Sequence, residues 1–143
     1  MPQPPNLQRF LDAQQRDYAT ALAEIRAGRK RSHWMWYIFP QIQGLGYSET
    51  AQFYAIRGRQ EAEAYLQHPV LGPRLREISG ALLTLESHDA TRLMGSPDDV
   101  KLRSSMTLFG ALAGSDPVFQ RVLDTYFGGA QDAKTLQILR QSP

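Results

Sequence analysis

Apolar residues recur at helical spacing from the start of the chain. Leu7, Phe10, Leu11, Tyr18, Ala21, Leu22 and Ile25 form one stripe, and Arg9, Gln15, Arg16 and Glu24 fall on the other side. Asn6 suits an N-cap and Gly28 suits the position just past a helix end, so the pattern predicts a helix over 6–27. A second, short helix is expected over 33–39, capped by Ser32 and closed by Pro40. It has no polar face, which implies burial nearly all round. Gly44-Leu45-Gly46 reads as a turn; with no strand before it, it supports a phosphate loop only weakly.

Ser48 opens a helix over 49–56, interrupted at Gly58, and a short helix over 59–67 is stopped by His68-Pro69. Gly72-Pro73 begins a longer one whose buried side is marked by Leu75, Ile78, Leu82 and Leu85. Asp89 caps a short turn ending at Gly95. Ser96-Pro97-Asp98-Asp99 is a dense helix-start signal, with serine as N-cap, proline at the first helical position and two carboxylates at the positive end. That helix is expected to reach residue 113. Gly114-Ser115-Asp116-Pro117 repeats the device before Val118, Phe119, Val122, Leu123, Tyr126 and Phe127, and Gly128-Gly129 stop the stripe. A last helix is expected over 132–140. No segment alternates with period two, so no strand is predicted. The expectation is an all-α fold: a proline-rich tail at 1–5, then a single compact domain over 6–140 built as an irregular array of about seven to nine short and medium helices.

Composition narrows the function classes. A chain of 143 residues suits one domain with a real core. There is no cysteine, which excludes disulfides and thiolate zinc sites. The first 30 residues carry no apolar signal-type run, and nothing approaches the roughly 20 apolar residues of a membrane span, so a cytoplasmic protein without a membrane partner is expected. The net charge of +2 does not by itself argue for nucleic acid. Arg26, Arg29, Lys30 and Arg31 do crowd together, and the bland account is a solvated helix end whose cations meet the negative end of the dipole.

Several residues fit a plain helical array poorly. On the helix that starts near Pro97, Lys101 and Ser105 lie within the same arc as Leu102, Met106, Phe109, Leu112 and Ala113. An unpaired ammonium in an apolar setting costs several kcal/mol, so a counter-charge is required. Asp98, one turn earlier, is the bland candidate, and a bound anion is the functional one. Arg103, Ser104 and Thr107 occupy the other side; hydroxyls on both faces point either to burial on both sides with specific hydrogen bonds or simply to solvent. His33 adjoins Trp34 and Trp36, where imidazole can act as a general acid or base, or can bond a core carbonyl. Trp34, Trp36, Tyr37 and Phe39 cannot all point one way, so some can wall a cavity. His68 and His88 precede helix starts and read as capping or surface groups. The three histidines lack metal-ligand spacing, so neither a metal nor a cofactor is expected.

Three stretches resemble the signature of the domain-of-unknown-function family numbered 1810. They are Ala27-Gly28-Arg29-Lys30-Arg31-Ser32-His33-Trp34-Met35-Trp36-Tyr37-Ile38-Phe39-Pro40-Gln41 with Gly44-Leu45-Gly46; Tyr65-Leu66-Gln67-His68-Pro69-Val70-Leu71-Gly72-Pro73-Arg74-Leu75; and Gly95-Ser96-Pro97-Asp98-Asp99-Val100-Lys101-Leu102-Arg103-Ser104-Ser105-Met106-Thr107-Leu108-Phe109. The resemblance implies a compact all-helical protein, often a stand-alone bacterial chain. It brings no activity and no catalytic residues.

Three functions compete. The favoured one is a pocket for an anionic, phosphate-bearing or nucleotide-like small molecule, walled by segments 29–41 and 96–109. Arg29, Lys30, Arg31, Ser32, Gln41, Lys101, Arg103 and Ser105 would bind, Trp34 or Trp36 would stack, and His33 would shuttle a proton if the site is catalytic; Lys101 and His33 are then expected at one cavity. The second is a nucleic-acid-binding module using the cations of 26–31 beside exposed aromatics. The third is a non-catalytic interaction domain, which predicts no cavity near 30–41. Whether the protein is an enzyme, and its oligomeric state, are not legible.

Overall fold

The N-terminal stripe forms α1, Gln8–Arg26, in a computed structural model that describes residues 6–142. The expected tail at 1–5 lies outside the described residues. The helices that follow are α2 (Met35–Ile38), α3 (Glu49–Tyr54), α4 (Arg59–Gln67), α5 (Leu71–Leu82), α6 (Ala90–Met94), α7 (Asp98–Gly110), α8 (Val118–Phe127) and α9 (Ala133–Arg140). Among the described residues there is no strand, only an isolated parallel bridge between Ile42 and Ile56. The all-α expectation therefore holds, with the short turn after Asp89 wound into a helix.

Local chemistry sets most of these ends. Ser48, Asp89 and Asp132 each accept a backbone N–H of their helix's first turn, from Ala51, Arg92 and Thr135. Gly128 ends α8 in the left-handed conformation that a side chain would resist. The Nδ1 atom of His68 accepts the amides of Val70 and Leu71, so this histidine caps the start of α5.

Three expected caps are corrected. Asn6 is not the N-cap of α1: Leu7 holds that position, and the Asn6 side chain accepts the Gln8 amide at 3.0 Å from one residue further out. Ser32 does not cap α2: its hydroxyl donates instead to Glu24, 2.6 Å away, and α2 begins only at Met35. Ser96 does not cap α7. Pro97 holds the N-cap position, and the first-turn amides of Asp99 and Lys101 go to the carbonyls of Gly95 and Pro97. The helix then ends at Gly110, earlier than residue 113.

α7 runs through the middle of the molecule and packs on α4, α6, α8 and α9, while α5 joins α1, α4 and α8. That position explains why α7 lacks a polar face: Leu102 and every residue from Ser104 to Phe109 are buried. Two of its three hydroxyls find partners within the helix or at Asp132, the N-cap of α9, while the Ser105 hydroxyl has none. Thr107 donates to the Arg103 carbonyl at 2.8 Å and accepts the Asp132 amide at 2.9 Å, and Ser104 donates to the Asp132 carboxylate at 3.1 Å. An aromatic chain crosses the core from α1 to α8: Phe10 meets Tyr65 edge-on at 5.1 Å, Tyr65 meets Phe109 at 5.3 Å, and Phe109 meets Phe119 at 6.0 Å. Rings at such separations add to plain area burial.

The join between α4 and α5 depends on Gly72. A Cβ there would stand 2.1 Å from the Leu66 carbonyl oxygen, a backbone atom that cannot swing away. Gly72→Ala is expected to destabilise the fold by about 1–3 kcal/mol through overpacking. Urea denaturation checks this, and an unchanged midpoint would show that the two helices can part at no cost.

Candidate functional site

The segment 29–40 is held by two acids, one on each side of it. Glu24, on α1, reaches forward along the chain. Its Oε1 accepts the Arg31 amide at 2.7 Å, the Ser32 amide at 2.9 Å and the Trp34 indole N–H at 2.9 Å, and its Oε2 accepts the Ser32 hydroxyl. Burial alone would push this carboxyl up. The converging donors outweigh burial and hold it down at about 2. Asp98, at the start of α7, is the second acid. Lys30 reaches it at 2.9 Å and Lys101 at 3.5 Å. Lys30 also lies 4.9 Å from the centre of a Trp34 ring, and Lys101 lies 5.4 Å from a Trp36 ring. Each ammonium therefore shares the same carboxylate and rests on its own tryptophan.

Ahead of this framework the chain leaves Ile42 and returns at Ile56. The Gln43 amide donates to the Ile56 carbonyl at 2.8 Å, and the Ile56 amide to the Gln41 carbonyl at 2.9 Å. With both isoleucines buried, residues 43–55 form a loop pinned at its base, of the compact kind often used in binding. The loop carries α3, which has no buried residue.

Cavities open on both sides of it. One, of about 470 Å³, is lined by Gln41, Tyr47, Ser48, Val100, Lys101, Ser104, Asp132 and Lys134, among others. The other, of about 560 Å³, is lined by Arg16, His33, Trp36, Tyr37, Glu49, Thr50, Phe53 and Tyr54. Between them is a void of about 10 Å³ that shares Gln41, Gly46 and Ala51 with the first and Trp36 and Tyr54 with the second. That is at the lower limit of what holds a single water.

These placements sort the expected site residues. Gln41 and Lys101 share the first cavity, while His33 lines the second, so His33 and Lys101 do not meet at one cavity as expected. Trp36 touches both regions, lining the second cavity and lying under Lys101. Trp34 is buried, and Lys30 and Ser32 are turned inward to Asp98 and Glu24. Arg29 and Arg31 are exposed. Arg103 and Ser105 lie outside the Lys101 cavity, with the Nε of one and the Oγ of the other buried without a protein partner. Arg26 lines a third cavity, of about 400 Å³, with Arg92, and there Glu86 and Asp89 balance the two cations. Trp34 is buried, so it offers no exposed stacking surface beside the arginines. The interaction-domain reading expected no cavity near 30–41, and two are lined by residues of that segment.

The second cavity has its own polar network. Tyr37 donates its hydroxyl to Asp17, and Arg16 reaches the same carboxylate at 3.1 Å. Burial pushes the Asp17 carboxyl up, but the Tyr37 hydroxyl and the Arg16 guanidinium together bring it below the usual range. Burial and the Asp17 hydrogen bond both raise Tyr37. Among the described residues no three acids or histidines cluster in a way that could hold a metal ion, and no helix is long and apolar enough to cross a membrane.

Sequence reasoning missed Glu24, Asp132 and Lys134 as parts of the framework and the cavity. Glu24 sits on the polar stripe of its helix and gives no signal there. Asp132 and Lys134 come from the far end of the chain.

Comparison with known proteins agrees with this architecture. The crystal structure of the conserved hypothetical protein Rv1873 from Mycobacterium tuberculosis superposes with a TM-score of 0.93 at 45% sequence identity, over 96% of this chain and 99% of that one. None of the functionally curated proteins compared matches the chain. Residues 4–139 match the family model described as "Protein of unknown function (DUF1810)", and the chain therefore belongs to that family.

Proposed function

We propose that the protein binds a small anionic ligand, phosphate-bearing or nucleotide-like, in the cavity between the 41–48 segment and the N-terminal half of α7. The observation that carries this is a charge imbalance. Two ammonium groups share one carboxylate at Asp98, which leaves one positive charge over. Lys30 is the tighter partner, its side chain 7% exposed and 2.9 Å from Asp98, with a further bond to the Ser32 carbonyl. Lys101, at 3.5 Å and 25% exposed, is the looser one, and it faces the cavity. Lys134 adds a second cation to the same lining. The one carboxylate in that lining, Asp132, is already engaged by Ser104 and by the amide and hydroxyl of Thr135. An anion entering here meets Lys101, Lys134, and the side chains of Gln41 and Ser48. The reading is one of binding: His33 lines the other cavity, so no proton shuttle at this anion is assigned to it.

Thermal denaturation at low salt with inorganic pyrophosphate and with a nucleoside diphosphate tests the reading. A ligand at a hundred times its Kd stabilises the folded state by about 2.7 kcal/mol, which for a chain of this size raises Tm by roughly 5–10 °C. Lys101→Met is expected to weaken binding about tenfold or more, since one charge-assisted contact is lost. It should leave the unliganded Tm nearly unchanged, because Asp98 keeps Lys30. No shift with either anion, or shifts in Lys101→Met and in Lys134→Met as large as in the wild type, would overturn the proposal.

A further inference from the structure

The cavity on the other side of the 43–55 loop has the opposite chemistry. Three of its rings form a corner. Tyr54 meets Phe53 at 4.8 Å with the planes 83° apart, and meets Tyr37 at 5.0 Å at 55°. Trp36 supplies a fourth ring to the lining. Rings set at steep angles present both faces and edges to one volume, and aromatic faces carry the negative lobe that attracts cations. The protein's own cations already use these rings: the Arg16 guanidinium lies 5.8 Å from the Tyr37 centre, and the Lys101 ammonium 5.4 Å from Trp36. Arg16 is paired with Asp17, and Lys101 shares Asp98 with Lys30.

Glu49 is different. It lines the cavity, and among the described residues it has neither an ion-pair partner nor a side-chain hydrogen bond. Glu49 thus brings a carboxylate to the lining, while the Arg16 guanidinium there is paired with Asp17. Phe53, 57% exposed, stands in the same lining on a helix that buries none of its residues. A large ring held this far out of the core has a use if it covers something.

We infer that this open aromatic groove is a second binding site, for a small organic cation of the quaternary or alkylated ammonium class, with Trp36, Tyr37, Phe53 and Tyr54 as its aromatic walls and Glu49 as the counter-charge. The bulk of such a cation is apolar, which suits the rings, and its charge is spread and weakly hydrated, which lowers the cost of leaving water. The Lys101 cavity, with its surplus positive charge, would repel the same ligand. The two sites are thus separable by charge, and this one does not depend on the other.

Titration of the full chain with choline, and in parallel with its neutral carbon isostere 3,3-dimethylbutan-1-ol, tests the inference by calorimetry and tryptophan fluorescence. Choline is expected to bind at least about tenfold more tightly than the isostere. Glu49→Gln and Phe53→Ala should each weaken choline binding by roughly tenfold, and neither should alter the response to pyrophosphate. Both positions are exposed, so folding should be kept, which the unliganded Tm verifies. Equal binding of choline and the isostere would make this a plain apolar cavity and overturn the assignment. So would choline binding that neither substitution weakens, or no choline binding at all. A pyrophosphate response with no choline binding would sink this inference alone, and the reverse result would sink only the anion reading.

Discussion

Glu24→Ala is expected to destabilise the protein by about 3–4 kcal/mol, because one carboxylate satisfies four donors at once. The loss is not shared evenly among them. The Arg31 amide is exposed and can turn to water. The indole N–H belongs to a tryptophan that is 1% exposed, and the Ser32 amide and hydroxyl are partly buried, so these keep the full penalty of an orphaned polar group. Glu24→Gln separates shape from charge. Its carbonyl oxygen can still accept the three N–H groups, and its amide can donate to the Ser32 hydroxyl once that hydroxyl turns. The expected cost is about 1–2 kcal/mol, the difference between charge-assisted and neutral bonds.

The same pair of variants carries a pH signature. The folded state holds the Glu24 carboxyl at about 2, against an ordinary value of 4.5. A depressed carboxyl contributes stability that is fully present above its unfolded value and is lost as pH falls through the folded one. Stability should therefore decline between about pH 4.5 and 2 in the wild type, and less steeply in Glu24→Gln, which has no proton to take up there. Asp17 is also lowered and adds to the slope of both proteins, so the readout is the difference between them. Urea denaturation at several pH values measures it, and parallel slopes would show that the clasp contributes nothing as an ionised group.

This acid also marks where sequence reading stops. Helix ends were legible because capping is local: Ser48, Asp89 and Asp132 lie within three residues of the amides they accept. The all-helical class followed from the spacing of apolar residues, which is local as well. Lys101 was legible as a problem, an ammonium in an apolar arc, and Asp98 was legible as one answer to it. The arrival of Lys30 at the same carboxylate is not, because it comes from 68 residues away, on a segment whose backbone bonds to Leu93 of α6. Glu24 and Arg9 fall on the side opposite the apolar stripe, and a helical wheel records which side a residue occupies, not what packs there. The loop between the two cavities is pinned by the pairing of Ile42 with Ile56, and the first cavity also takes in the C-terminal residues Asp132 and Lys134; neither leaves a trace in local pattern.

Arg9 leads to the second large effect. It joins α1 to α4 through an ion pair with Glu61, their side chains 10% and 8% exposed. The guanidinium also donates to the Asn6 carbonyl at 2.7 Å and the Ala55 carbonyl at 2.9 Å, and Glu61 accepts the Arg57 amide. Glu61→Ala leaves the guanidinium buried with carbonyl oxygens but no counter-charge, and is expected to cost about 3–5 kcal/mol. Arg9→Met leaves the carboxylate with a single amide and should cost a similar amount. Removing both charges is expected to be much milder than the sum. In Arg9→Met with Glu61→Leu no isolated ion remains and the space is filled by apolar atoms, so the residual cost is about 1 kcal/mol for the Ala55 carbonyl left without its donor. Chemical denaturation of the four proteins closes a double-mutant cycle. A strong interaction between the two positions is expected. Additive losses would mean that water reaches the pair, and that α1 is fastened to α4 by the contact of Phe10 with Tyr65 and not by charge.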